Sequence, residues 1–151
     1  MSPDSLLPRL DQLQSETLAV LSRAGDLLDE ETDYARAGLG AIRWELARSL
    51  REYQIFKHSR IFDPAITSSS PSVAEAGRRL KVDCIAGSAR FDQYVREWTG
   101  RDIAAEWTAF RSATLELGRR LRDHIASERI QIRLLLAEAA RRQKAPLGQW
   151  N

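Results

Sequence analysis

Along four separate stretches of this chain apolar residues return every three or four positions, and no stretch shows the two-residue alternation of a strand. That spacing brings positions i, i+3, i+4 and i+7 to one face of a helix, and each such face must be covered by another. The first stretch runs from about residue 4 to 30, with Leu6, Leu10, Leu13, Thr17, Val20, Ala24 and Leu27 on one face. The second runs from about 33 to 62 through Leu39, Ile42, Leu46, Leu50, Tyr53, Lys57 and Ile61, weakened at its start by Gly38 and Gly40 and ended by Asp63-Pro64. Residues 67–71 read as a surface loop. The third helix is capped by Ser70 or Ser72, with Glu75 completing a capping box, and carries Val73, Ala76, Leu80, Cys84, Gly87, Phe91, Tyr94 and Trp98 inward. After a short turn over 99–102, the fourth runs from about 102 to 142 with Ile103, Phe110, Thr114, Leu117, Leu121, His124, Glu128, Ile132 and Leu135 in line, and a bend near Ser112 or Gly118 would fit its length. Four long amphipathic helices on short connections predict an all-α, up-down-up-down four-helix bundle over residues 1–142, with 143–151 as a flexible tail carrying Trp150.

The 151 residues suit one domain. Twenty arginines and three lysines are interleaved with 21 acids to a net charge of +2, so no basic block argues for nucleic acid. Cys84 is the only cysteine, which excludes an intrachain disulfide and a thiolate zinc cluster. No secretory leader, membrane span or lipidation signal is visible, and a cytoplasmic protein of bacterial type is the expectation. A glycine-rich phosphate loop and a Ser-His-Asp arrangement are both missing, and two histidines leave little for acid–base work. The helices are too long for a helix-turn-helix reader. No enzyme activity is expected.

Near the middle of each stripe the residues turn polar or small: Thr17, then Tyr53 and Lys57, then Cys84, then His124 and Glu128. In a bundle these positions meet in one layer. An ionised carboxylate there costs several kcal/mol unless a cation, a metal or hydrogen bonds compensate. Each residue also has a plainer reading. His124 can be a hydrogen-bonded core histidine, Glu128 can turn outward, Lys57 can extend its ammonium to solvent along its methylene stem, and Cys84 can be a small buried hydrophobe. His58 falls beside the stripe. Trp44, Trp98 and Trp107 read as packing or helix-end anchors.

The fourth helix, with His124 and Glu128 in a His-x-x-x-Glu arrangement, and the second, 50–64 with its Ile61-Phe62-Asp63-Pro64 exit, resemble the hemerythrin-like, or HHE cation-binding, bundles. The resemblance implies that His124 and Glu128 occupy ligand positions. Tyr53 and Lys57 then stand where the second helix would carry His and Glu, Cys84 replaces a histidine of the third, and Thr17 matches a histidine of the first. With those ligands replaced, two arrangements satisfy the layer. In one the Lys57 ammonium takes the cation's place against Glu128, while Tyr53 and His124 share hydrogen bonds. In the other a single zinc or iron is held weakly by His124 and Glu128 with Cys84 or Tyr53. The first is favoured because the chain supplies its own cation. The functional expectation is a non-catalytic, regulatory or partner-binding protein, monomer or homodimer, with an unidentified protein partner and no nucleic acid or membrane. Its alternatives are a residual iron- or zinc-binding protein that senses or stores metal or responds to oxidants, and an unrelated adaptor- or chaperone-like bundle.

Overall fold

The computed structural model describes residues 3–30 and 32–143. Among them every long element is helical and no strand occurs. Helix α1 spans Pro3–Glu30 and contains Pro8 in its second turn, where the ring removes one helical N–H donor. Helix α2 spans Asp33–Lys57 and is capped by Thr32, whose hydroxyl accepts the Ala35 N–H at 3.0 Å. Gly38 faces α1 so closely that a Cβ would stand 3.1 Å from a Leu27 methyl.

Asp63-Pro64 does not end the second helix. The chain passes from α2 into a π-helical turn at His58–Phe62, where the Asp63 N–H donates to the His58 carbonyl five residues back. It then resumes as the short helix α3, Asp63–Ile66, with Pro64 in its first turn. The widened turn admits one extra residue, so Ile61 and Phe62 are both buried.

Helix α4 spans Pro71–Trp98 and starts from Ser70 in extended conformation with Pro71 behind it. The expected capping box is not formed. Ser70 and Ser72 bond to each other through their hydroxyls, and Glu75 turns forward to Arg78. Gly100 takes a left-handed φ of 81° just past α4. Helix α5 then spans Trp107–Gln143, five residues later than the periodicity predicts, because residues 103–106 form turns. The Ala105 N–H bonds the Asp102 carboxylate there, and the Glu106 N–H the Asp102 carbonyl. From Trp107 onward α5 is one uninterrupted α-helix, through Ser112 and Gly118. Of the predicted tail only Gln143 is described, and it is helical; Trp150 lies outside the described residues.

Helix α1 lies along α2 and also touches α5; α5 lies along α4, which packs in turn against the π segment and α3. Two apolar compartments fill the space between. One holds Leu10, Leu13, Tyr53, Phe62, Leu80, Cys84 and Ile132. The other holds Val20, Leu28, Leu39, Leu46, Phe91 and Phe110. No described helix is long and apolar enough to cross a membrane.

Candidate functional site

Among the described residues four that are charged or polar are fully withdrawn from solvent: Gln14, Thr17, Lys57 and Glu128. Lys57 and Glu128, each 2 % exposed, face one another across the first compartment, with Nζ 2.7 Å from Oε1. The same oxygen accepts the Tyr53 hydroxyl at 2.6 Å. That hydroxyl accepts in turn from the Gln14 side-chain amide at 3.0 Å. The ammonium also lies 3.9 Å from the centre of the Tyr53 ring and donates to the Cys84 sulfur at 3.3 Å. A chain therefore runs Gln14, Tyr53, Glu128, Lys57, Cys84, and the His58 Nε2 extends it at 3.3 Å from the same sulfur.

The second oxygen of Glu128 is different. His124 Nε2 stands 3.3 Å from Oε2, but no well-directed hydrogen bond reaches this buried atom. Burial drives the Glu128 carboxyl upward; His124 beside it and the Lys57 charge more than reverse this and hold it down at about 2. The carboxylate is the stable form. Burial, helped by the Glu128 charge, pushes the Tyr53 phenol far up, so it stays a donor. Burial also raises the Cys84 thiol against the pull of Lys57. Burial and the Lys57 and Lys81 charges lower His58, which favours its neutral imidazole. An ammonium, a carboxylate and neutral neighbours are thus the self-consistent state.

Register placed Tyr53, Lys57, Cys84 and Glu128 together, and the structure brings them together. Two expected members differ. Thr17 is fully buried but stays out of the chain, its hydroxyl donating to the Leu13 carbonyl and lying 2.8 Å from the Ser49 hydroxyl. Gln14, about one turn earlier on α1 and beside the stripe, takes the place in the layer expected of Thr17. His124 is not a core residue: its side chain is 32 % exposed, and Ile125 takes the inward position. Its ring lies beside Gly87, where a Cβ would sit 3.9 Å away. Trp44 is no packing anchor, being 73 % exposed, whereas Trp98 is buried edge-on against Phe110 beneath the Arg101 guanidinium.

A metal centre fits this donor set poorly. Among the described residues no three His, Cys, Asp or Glu side chains converge. A protonated lysine, which cannot be a ligand, holds the carboxylate oxygen that faces the core. Glu128 and His124 alone leave a cation short of the three or four protein donors that zinc sites use. No known protein family, curated protein or solved structure matches the chain.

Proposed function

We propose that this chain is a hemerythrin-like up-down-up-down bundle in which a lysine ammonium has replaced the metal, and that it works as a non-catalytic regulatory or partner-binding protein of the cytoplasm. The observation that carries the reading is the 2.7 Å contact of Lys57 with Glu128 at 2 % exposure. A cation is needed opposite that carboxylate, and the chain provides one in covalent form. The family assignment rests on the positions of Tyr53, Lys57, Cys84, His124 and Glu128 on their helices. The regulatory role follows from a site with no activated nucleophile: the Cys84 thiol is raised by burial, and Lys57 is committed to its carboxylate. Acids paired with arginines over the surface, as in Arg133 with Asp11, Arg111 with Asp29 and Arg120 with Glu116, argue against a nucleic-acid face.

One observation favours the metalloprotein reading instead, namely the unbonded Glu128 Oε2 beside His124. Elemental analysis separates the two readings. Protein produced with ample iron and zinc and purified without chelator is expected to carry far less than one metal per chain, and Lys57→Glu to raise that content. Stoichiometric iron or zinc in the wild type, lost in His124→Ala, would establish the metalloprotein and remove the lysine substitution.

A further inference from the structure

Between α2, α4 and α5, next to the ion pair, lies a pocket of about 90 Å³ that is open to solvent on one side. The fourteen residues around it include Lys57, Arg90, Arg120 and His124 and not one Asp or Glu. Its walls are apolar at Leu50, Phe91, Leu117 and Leu121. A concave, mostly apolar space with a few placed polar groups is what small-ligand sites share.

The cations are not equally available. Lys57 is neutralised by Glu128, and Arg120 is held by Glu116 at 2.9 Å. Arg90 is exposed at the rim and has no hydrogen-bond or ion-pair partner among the described residues. A planar guanidinium with both N–H edges free matches a carboxylate in two parallel hydrogen bonds. The volume is below the roughly 150 Å³ of a void that takes up benzene, so only the apolar end of a ligand enters and its charged end stays outside. A second apolar chamber shares the walls Phe91 and Leu117, again with arginines, Arg43 and Arg122, and no acid around it. That continuity lets a slender chain reach further in when side chains move, and offers a divalent or bulky polar head nothing.

We propose that this pocket binds a small amphipathic monocarboxylate, its aliphatic or aryl body against Leu50, Phe91, Leu117 and Leu121 and its carboxylate on Arg90. The site goes beyond the regulatory reading above and does not depend on it, because Arg90 and the apolar walls Leu50, Phe91, Leu117 and Leu121 take no part in the ion pair. Ligand occupancy between three helices would couple their packing to a metabolite's concentration.

Calorimetric titration of the full chain with hexanoate and with phenylacetate tests it, alongside hexanamide and hexylamine as neutral and cationic counterparts. The acids are expected to saturate, and the amide to bind about tenfold more weakly through loss of one charged contact. Arg90→Gln, at an exposed position where folding is not at stake, is expected to weaken the acids about tenfold and leave the amide unchanged. Gly87→Leu, which projects into the pocket, is expected to abolish binding of both. The proposal is overturned if hexylamine binds as well as hexanoate, if Arg90→Gln leaves the acids unaffected, or if neither acid saturates up to its solubility limit.

Discussion

Separating the two charges at the centre of the bundle gives the sharpest test of how it is held together. In Glu128→Gln the amide oxygen can still accept from Tyr53, but Lys57 is left as a buried ammonium with only a neutral oxygen, a sulfur and a ring face around it. Breaking a buried pair this way costs about 3–5 kcal/mol, and the retained acceptor puts the expected value near about 3. That is a large part of the roughly 5–15 kcal/mol that holds a domain folded. Lys57→Met strands the carboxylate instead. Burial then acts on Glu128 without its cation, so the carboxyl takes up a proton more readily and the cost, about 2 kcal/mol, shrinks as pH falls. In the double variant Lys57→Met, Glu128→Gln every remaining group keeps a partner. The amide oxygen takes the Tyr53 hydroxyl, its NH₂ faces the His124 Nε2, and Met fills the volume of the lysine stem. The double variant should lie within about 1.5 kcal/mol of wild type. Urea unfolding followed by circular dichroism, with equal m-values across the four proteins, yields the coupling energy. A coupling of about 3.5–5 kcal/mol is expected; a value within the roughly 0.5 kcal/mol of simple additivity would mean the pair does not exist.

Two further outcomes follow from the same geometry. Because the Glu128 carboxyl falls from its ordinary 4.5 to about 2 on folding, its contribution is complete above pH 4.5 and lost as pH drops from 4.5 towards 2; the gap corresponds to about 3 kcal/mol. Surface acids paired with arginines are lost in the same range but are screened by salt, so at high ionic strength wild type should show an acid step that the double variant lacks. The raised Tyr53 and Cys84 act at the other limit, contributing fully below their ordinary 10.0 and 9.0 and progressively less above, which pH-dependent urea midpoints will show. Gly77→Ala and Gly87→Ala should shift thermal midpoints in opposite directions. A Cβ at Gly77 would stand 2.8 Å from the Ala65 Cβ and 3.3 Å from the Ile66 nitrogen of α3 and the Phe62 carbonyl oxygen of the π turn, costing about 1–3 kcal/mol of overpacking. At Gly87 it would meet only the His124 ring at ordinary contact, and the helix gains about 1 kcal/mol. Equal shifts in the two would show that α3 does not press on α4.

The register of the apolar stripes was enough to find the four long helices and to bring Tyr53, Lys57, Cys84 and Glu128 into one layer, since a side chain's face follows from counting turns. What counting missed has identifiable causes. A core-facing helix buries a second row beside its main stripe. On α1 that row is the half-buried Leu7 and the buried Gln14, Leu21 and Leu28, seven apart, and Leu28 rather than Leu27 is the buried one. Seen that way Gln14 was findable, as the polar break in a row of leucines. On α5 the buried arc takes in Gly118, Ile125, Glu128, Ile132, Leu135 and Leu136, and at about 100° per residue His124 falls at its edge while Ile125 falls inside it. The π turn had no comparable signal, because Pro64 reads as a terminator unless the turn before it is known to be widened. The capping box failed for a local reason: the preset φ of Pro71 starts α4 one residue ahead of Ser72, the serine of the box, and leaves Ser70 at the cap position.

The ion pair also fixes which rung of α5 stands beside which rung of α2. Leucine stripes tolerate sliding, since a displacement of one turn, about 5.4 Å, sets one aliphatic side chain against another. It would also carry the Glu128 carboxylate off its 2.7 Å contact and leave two bare charges among apolar side chains, so that sliding α5 past α2 is expensive at this one rung alone. Lysine and glutamate thus act as an indexing pin for the bundle, a role separate from how much they stabilise it. The neutral Lys57→Met, Glu128→Gln protein, near wild type in stability, is then expected to lose its single alignment, with amide signals along α5 broadened by exchange between neighbouring settings; sharp signals there would mean that packing alone sets the alignment.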